Sequence, residues 1–380
     1  MNIYIHVEVS VRELDSKLLL AVISAKKGHK VLISDLPSIR FGINNKLLAP
    51  GIFHTKSLSP SEIKILRHQE IIDSGSIISS IDEEGGLVDY GYDKFAKSRY
   101  SKKTVDQASM IFGWGAEDVE SLKRIYPDYS SKIFMTGSPR SDLWKPLFND
   151  YWRETQKMNK KNFILVPTNF SLANSVPNRP FHRNFELLKR GGYFERDPDY
   201  LSLLFGTASE EYQMILSFIN ALKYLSKNSI GYDIVIRPHP AENIEAWRIY
   251  LKDLTNVYVS REGPIDSWVK NSFAIIHHDC TTGIEATISG KPVITYNPFN
   301  RKFNRKLAND IGHSVTTLEE LVNKTNSLFE KIKTQNKNSI NEKIPESISR
   351  KIFSDENELA AEKIVQHWEK FSLEKLNKTS

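Results

Sequence analysis

The sequence predicts an α/β protein made of two parallel-sheet domains, and three observations predict it. Strand-like and helix-like patterns alternate through the first half, then restart after a basic polar stretch around residues 157–161. In the second half the apolar runs Ile234-Val-Ile and Ala274-Ile-Ile break abruptly into polar residues. Strands of open α/β sheets do this where they feed a ligand-binding turn. The chain has 380 residues, 40% of them hydrophobic and 26% charged, enough for more than one ordinary core. The expected domains are 1–155 and 156–350, with a C-terminal helix over 351–380 placed to pack back on the first.

The elements follow in order. Residues 3–7 read as a strand and 12–26 as a helix with Leu14, Leu18, Val22 and Ala25 on one face. Strands are expected over 30–33, 51–54, 76–81, 110–113 and 133–135. Helices are expected over 61–72, after Pro60, and over 116–125. After the restart, 163–166, 232–236, 257–259, 273–277 and 292–295 read as strands, and 210–226 as a long helix. Residues 333–343 are Asn/Lys-rich and read as a surface excursion. Residues 357–375 read as an amphipathic helix.

Composition narrows the function. A formal net charge of +6 suits an anionic substrate or a membrane face. Without a clustered patch it does not predict a nucleic-acid partner. The lone Cys280 excludes an intrachain disulfide and a cysteine-ligated metal site. It reads as a small buried thiol rather than a nucleophile. The chain opens on a strand pattern and has no apolar run of spanning length. The expectation is a cytoplasmic protein whose basic excess suits the cytoplasmic face of the inner membrane. No P-loop, Gly-x-Gly-x-x-Gly or His-Glu-x-x-His is present. The acid pair Asp197-Pro-Asp199 lies in a loop-like region and is not read as a metal site.

The second half carries phosphate chemistry. Thr281-Thr282-Gly283 precedes a short helical pattern, whose free N–H groups and dipole favour an anion. The two hydroxyls add donors, and Gly283 lets a phosphate approach the backbone. His239, stiffened by Pro238 and Pro240, is a second donor at a matching strand end. The alternatives are that Thr281 is an N-cap and His239 a turn residue. His277 and His278 are consecutive on a strand, so at most one faces the ligand.

The first half carries acids. Asp82-Glu-Glu-Gly85 closes a strand, and such crowding raises a pKa toward that of a general base, unless the motif is a plain surface turn. Gly85 leaves room beside Glu84 for an acceptor sugar. Arg12, Glu13 and Asp15 lie at a helix start, where the acids complement the dipole or contact an acceptor. Trp114 reads as packing.

These motifs resemble known families. Val9-Ser-Val-Arg-Glu-Leu-Asp15, Ile81-Asp-Glu-Glu-Gly-Gly86, Phe112-Gly-Trp-Gly115 and Thr136-Gly-Ser-Pro-Arg-Ser-Asp-Leu143 resemble bacterial surface carbohydrate biosynthesis proteins. Arg237-Pro-His-Pro240 and Asp279-Cys-Thr-Thr-Gly-Ile-Glu285 are similar to the His-Pro and hydroxyl-pair motifs of polysialyltransferases and capsule-type Kdo transferases, whose pair is Ser-Ser in the polysialyltransferases. Gly137-Ser-Pro-Arg-Ser-Asp142 is similar to the Gly-x-Pro-Arg-x-Asp of CDP-glycerol polymerases of teichoic acid synthesis.

The resemblance covers roughly residues 1–300. It implies a GT-B glycosyltransferase, two Rossmann-like domains facing a central cleft. It implies a nucleotide sugar held by Arg237, His239, Pro240, Asp279, Thr281, Thr282, Gly283 and Glu285, with Gly137 and Ser138 added by the polymerase likeness. It places the glycan or glycolipid acceptor near Arg12 and Glu13. Glu84 or Glu83 is the general base if configuration inverts, and Asp82 or Asp15 the adduct-forming carboxylate if it is retained. The expected donor is the CMP ester of Kdo or a nonulosonic acid, used without a cofactor or metal, because one phosphate needs a weaker clamp than two. A CDP-alditol phosphotransferase, an enzyme of the UDP-GlcNAc 2-epimerase type and a non-catalytic nucleotide-sugar-binding partner stay open.

Overall fold

The structure is a computed structural model and describes residues 1–8, 10–88, 91–154, 162–178, 180–190, 193–197, 199–303, 307–334, 344–355 and 357–379. Of the expected excursion over 333–343, residues 333–334 end the helix Leu318–Thr334, and 335–343, like the basic stretch at 157–161, lie outside these residues. Two compact units form, 1–143 with 344–380, and 144–343.

The first unit is a six-stranded parallel sheet. Its strands are β1 (Asn2–His6), β2 (Lys30–Ser34), β3 (Ile52–Thr55), β4 (Ile77–Ile81), β5 (Ala108–Gly113) and β6 (Ile133–Met135). Their order is β2-β1-β3-β4-β5-β6. The chain reverses its direction of travel across the sheet between β1 and β3, the switch point where such sheets open a crevice. The second unit has β7 (Phe163–Pro167), β8 (Asp233–Arg237), β9 (Val257–Val259), β10 (Ala274–His277), β11 (Val293–Tyr296) and β12 (His313–Val315). Their order is β12-β11-β10-β7-β8-β9, all parallel, with the switch point between β7 and β10.

The central strands are buried on both faces, as helix-covered parallel strands must be, which is why they read as unbroken apolar runs. Strand β12 left no such trace, because it is three residues at an edge with only Val315 buried. The long helix runs Tyr200–Asn228 and so begins ten residues before its expected start.

One expectation is inverted. In the helix Ser10–Lys26 the residues Leu14, Leu18 and Val22 are 37%, 41% and 52% exposed, and Ala25 is exposed. The buried face is Glu13, Ser16, Lys17, Leu20, Ala21 and Ser24. The buried polar residues spend their charge at the carboxyl edge of the sheet, described below.

The helix Ala360–Thr379 belongs to the first unit. Buried Asp142 accepts the Ala360 and Ala361 N–H groups, both at 3.0 Å, and so caps it. Fully buried Trp368 donates from Nε1 to Ser79 Oγ at 2.8 Å. Among the described residues, no helix is long and apolar enough to cross a membrane.

Candidate functional site

In the second unit the predicted motifs follow the carboxyl ends of β10 and β8, on either side of β7. Strands β10, β7 and β8 are neighbours. Their carboxyl ends run into His278–Gly283, Thr168–Asn169 and Pro238–Glu242. Asn169 Nδ2 donates to the Asp279 carbonyl at 3.3 Å, linking the two loops across the switch point.

His239 is exposed at the tip of its turn. The Ala241 N–H donates to His239 Nδ1 at 3.1 Å, so the neutral ring carries its proton on Nε2. The turn is held by a residue that the sequence reading missed. Glu242 is fully buried, and its Oε1 accepts the His239 N–H at 3.0 Å and the Thr168 hydroxyl at 2.7 Å. Its Oε2 accepts Trp247 Nε1 at 3.0 Å. Arg261 donates to the Glu242 and Pro238 carbonyls from the other side. The available signal was an acid three residues after a histidine in a Pro-rich turn. Pro240 is exposed beside His239.

Arg237 points its hydrogen bonds elsewhere. Its guanidinium donates to the Glu262 carbonyl at 2.8 Å and to the Gly263 carbonyl, and lies over the Trp268 ring at 5.7 Å. Burial lowers its pKa to about 10. These partners make it a clamp on the turn after β9.

The loop after β10 is braced from behind. Asp279 takes a left-handed φ of 56° and is buried. It exchanges hydrogen bonds with Asn309 at 2.7 and 2.6 Å and pairs with Arg301, which also binds Glu210 at 2.8 Å. His278 donates from Nδ1 to the Tyr296 carbonyl at 3.0 Å, and burial with Arg301 beside it lowers its pKa to about 4. His277 is fully buried, with its pKa lowered to about 3 by burial and by His278. Thr295 spends its proton on the Ile311 carbonyl and accepts from His277 Nε2 at 3.1 Å.

Gly283 has a packing reason. A Cβ there would fall 2.5 Å from His277 Nε2, so the glycine lets the short helix Thr282–Ile288 pack on that ring. Thr281 is exposed, sits at the helix start and makes no side-chain capping bond, so the simple N-cap alternative fails. Thr282 and Glu285 are buried in the first turn. Burial raises the Cys280 thiol to about 11, which leaves it a poor nucleophile at neutral pH.

In the first unit the acids again gather at carboxyl ends, those of β1, β3 and β4. Asp82 is buried, and Arg99 binds it through Nε at 2.9 Å and through a second nitrogen at 3.0 Å. Burial raises its pKa, and Arg99 opposes the rise. Glu83 pairs with the buried Lys17. Glu84 is exposed, with Arg99 at 3.6 Å. The room beside Gly85 and Gly86 belongs to Trp114, not to an acceptor. A Cβ on Gly85 would meet its ring at 3.1 Å, and one on Gly86 would overlap it. Trp114 is buried and donates from Nε1 to the Asp82 carbonyl at 2.7 Å. Its own N–H goes to buried Asp118, whose pKa burial raises to about 7.

Across the β1/β3 switch point Lys56 pairs with Glu8 at 2.9 Å and Glu13 at 3.2 Å. Glu13 is buried and also accepts the Glu8 N–H at 3.0 Å. Asp15 is half-buried beside it. Arg12 lies in the same helix, and its side chain is outside the described residues. Lys17, Lys56 and Arg99 were not singled out from sequence, because a lone lysine or arginine carries no local pattern.

Gly137 and Ser138 serve the fold of the first unit. Gly137 has a φ of 79°, and a Cβ there would meet the Phe353 carbonyl at 2.6 Å. Ser138 caps the turn Pro139–Asp142 through the Arg140 N–H at 3.2 Å. Gly137 and Asp142 face the C-terminal segment at Phe353 and Ala360.

No family model matches the chain, and no curated protein matches it. Solved structures do match. A UDP-GlcNAc 2-epimerase from Neisseria meningitidis bound to UDP-GlcNAc is similar over 97% of this chain and 99% of its own, at a TM-score of 0.52 and 12% identity. The wall teichoic acid polymerase TagF is similar over 99% of this chain and 90% of its own, at a TM-score of 0.56 and 13% identity. At these identities the likeness is one of fold, and with two six-stranded parallel sheets in one chain that fold is GT-B.

Proposed function

We propose that the protein is a nucleotide-sugar enzyme that transfers a group from a cytidine-activated donor to a surface-polysaccharide acceptor. The observation that carries the reading is the preset His239. Its turn is locked by Glu242 and its neutral ring presents an Nε2–H at a strand end. Such a donor stabilises charge that grows on a departing phosphate, and it does so without reorganising. In this reading the Thr281 and Thr282 hydroxyls, after β10 on the other side of β7, add donors. The second unit then binds the nucleotide and the first binds the acceptor. Glu84 takes the acceptor proton, since it is exposed while Glu83 and Asp82 are buried against Lys17 and Arg99.

The CMP ester of a 2-keto acidic sugar, Kdo or a nonulosonic acid, asks least of this site, because one phosphate suffices and no metal is needed. Activity is expected to survive EDTA. A CDP-alditol donor uses the same pocket chemistry, and the likeness to TagF supports keeping it in the test. The likeness to a UDP-GlcNAc 2-epimerase supports a second reading, epimerisation of a UDP-sugar.

A thermal-shift series with CMP, CDP, UMP and UDP separates these readings, since the ligand that binds the native state best raises the melting temperature most. A cytidine nucleotide should lead, and His239→Ala should abolish the shift. A UDP preference would overturn the cytidine reading in favour of the epimerase.

A further inference from the structure

The helix Ser10–Lys26 turns polar residues inward and aliphatic residues outward. The inward half has a cause. Glu13 and Lys17 are drawn to Lys56, Glu8 and Glu83 at the sheet edge. That cause does not require leucine and valine outside. Leu14, Leu18 and Val22 follow one another at four-residue steps, so they form one stripe along the helix. Scattered exposed leucines are ordinary, but a contiguous stripe marks a contact surface.

The charge at the end of the stripe says what kind of contact. Lys26 closes the helix, Lys27 and Lys30 follow, and residues 16–34 contain no acid. Lys26 and Lys30 are exposed, while Lys27 is offset by Glu369 at 2.9 Å. A leucine face with lysines at its margin fits an anionic lipid surface. It fits a second copy of itself poorly, since the lysines would add to one another's repulsion. We infer that this stripe seats the first unit on an anionic bilayer, with Leu14, Leu18 and Val22 at the acyl boundary and Lys26 and Lys30 at the headgroups. The same helix carries Glu13 and Lys17 to the acid edge on its inward face, so a bilayer on the stripe is separated from that edge by the helix itself. The link to function rests on the proposed transfer to a lipid-carried acceptor.

The test is co-sedimentation of the full chain with phosphatidylcholine vesicles, with and without phosphatidylglycerol. It needs neither donor nor acceptor, so its outcome is independent of the transfer reading. Wild type should partition to the phosphatidylglycerol vesicles and much less to pure phosphatidylcholine. The variant Leu14→Gln/Leu18→Gln/Val22→Gln keeps good helix formers at exposed positions, and its melting curve should match wild type. Its partitioning should fall at least about tenfold, since each buried methylene is worth roughly a factor of four. Lys26→Glu/Lys30→Glu should lose the preference for phosphatidylglycerol while the stripe stays intact. Wild type that ignores both vesicles, or a folded triple variant that partitions normally, would overturn the inference. Light scattering that shows a dimer which the triple variant dissociates would assign the stripe to a second copy instead.

Discussion

Glu242 accepts the His239 N–H at 3.0 Å through the same oxygen that takes the Thr168 hydroxyl at 2.7 Å. One fully buried carboxylate thereby ties the end of β7 to the turn after β8, and Trp247 adds a third donor. A buried carboxylate depends on each of its donors, because each lost bond leaves it less compensated. Glu242→Ala removes the hub and strands two buried donors, on Thr168 and Trp247, and the part-buried His239 N–H. A loss of about 3–5 kcal/mol in unfolding free energy is expected, measured by denaturant melting. His239→Ala, at an exposed position, should melt like wild type and lose most turnover. Near-normal turnover in folded His239→Ala would remove His239 from the phosphate.

The acids of the first unit separate by their partners. Glu83→Gln leaves the ammonium of buried Lys17 without its carboxylate, so it should destabilise by about 3–5 kcal/mol whatever its chemical role. Glu84→Gln changes an exposed residue and should leave the melting curve alone. If Glu84 takes the acceptor proton, that variant should lose roughly two to four orders of magnitude in turnover while still binding nucleotide. Turnover at the wild-type rate in Glu84→Gln would move the base elsewhere, with Asp15 next to examine.

The sequence made the sheets legible because central parallel strands must be apolar on both faces, and runs such as Phe163-Ile-Leu-Val show that without context. It made the polar strand ends legible for the same reason, by contrast. It misled on the helix Ser10–Lys26, where periodicity identified the apolar face correctly but not the side it would turn to. There, ion pairs to residues 40–70 positions away decided the orientation. Glycines were visible as glycines, yet their reasons, Trp114 for Gly85 and His277 for Gly283, are contacts with distant or folded-back side chains. Glu242, Lys17 and Arg301 were invisible because their importance lies wholly in what they touch.

Gly283 offers a direct check on that last kind of reading. Gly283→Ala places a methyl 2.5 Å from His277 Nε2 in a buried spot. The ring is fixed by Thr295 and cannot swing away freely. Overpacking of this sort costs about 1–3 kcal/mol. The penalty should shrink when His277→Ala is added, giving a non-additive double-mutant cycle in thermal or denaturant melts. Additive losses would mean that Gly283 is needed for some other reason, such as backbone approach by a ligand.

Asp118 predicts how stability of the first unit follows pH. Burial raises its folded pKa to about 7 from an ordinary value of 3.8, with Asp82 adding to the rise and the Trp114 N–H opposing it. The folded state therefore holds this proton where the unfolded chain has released it. Between those two values the native state binds more protons than the unfolded one, so stability falls as pH rises through the window. The shift caps the effect at about 4 kcal/mol, fully felt only above the folded pKa. Asp118→Asn keeps an oxygen for the Trp114 N–H and removes the charge. Below about pH 4, where folded and unfolded chains both hold the proton, the variant should melt close to wild type. Above pH 8 it should melt higher, by several degrees for a unit of this size. A variant less stable than wild type at both pH values would show that the carboxylate is held charged, and that its bond to Trp114 outweighs its burial.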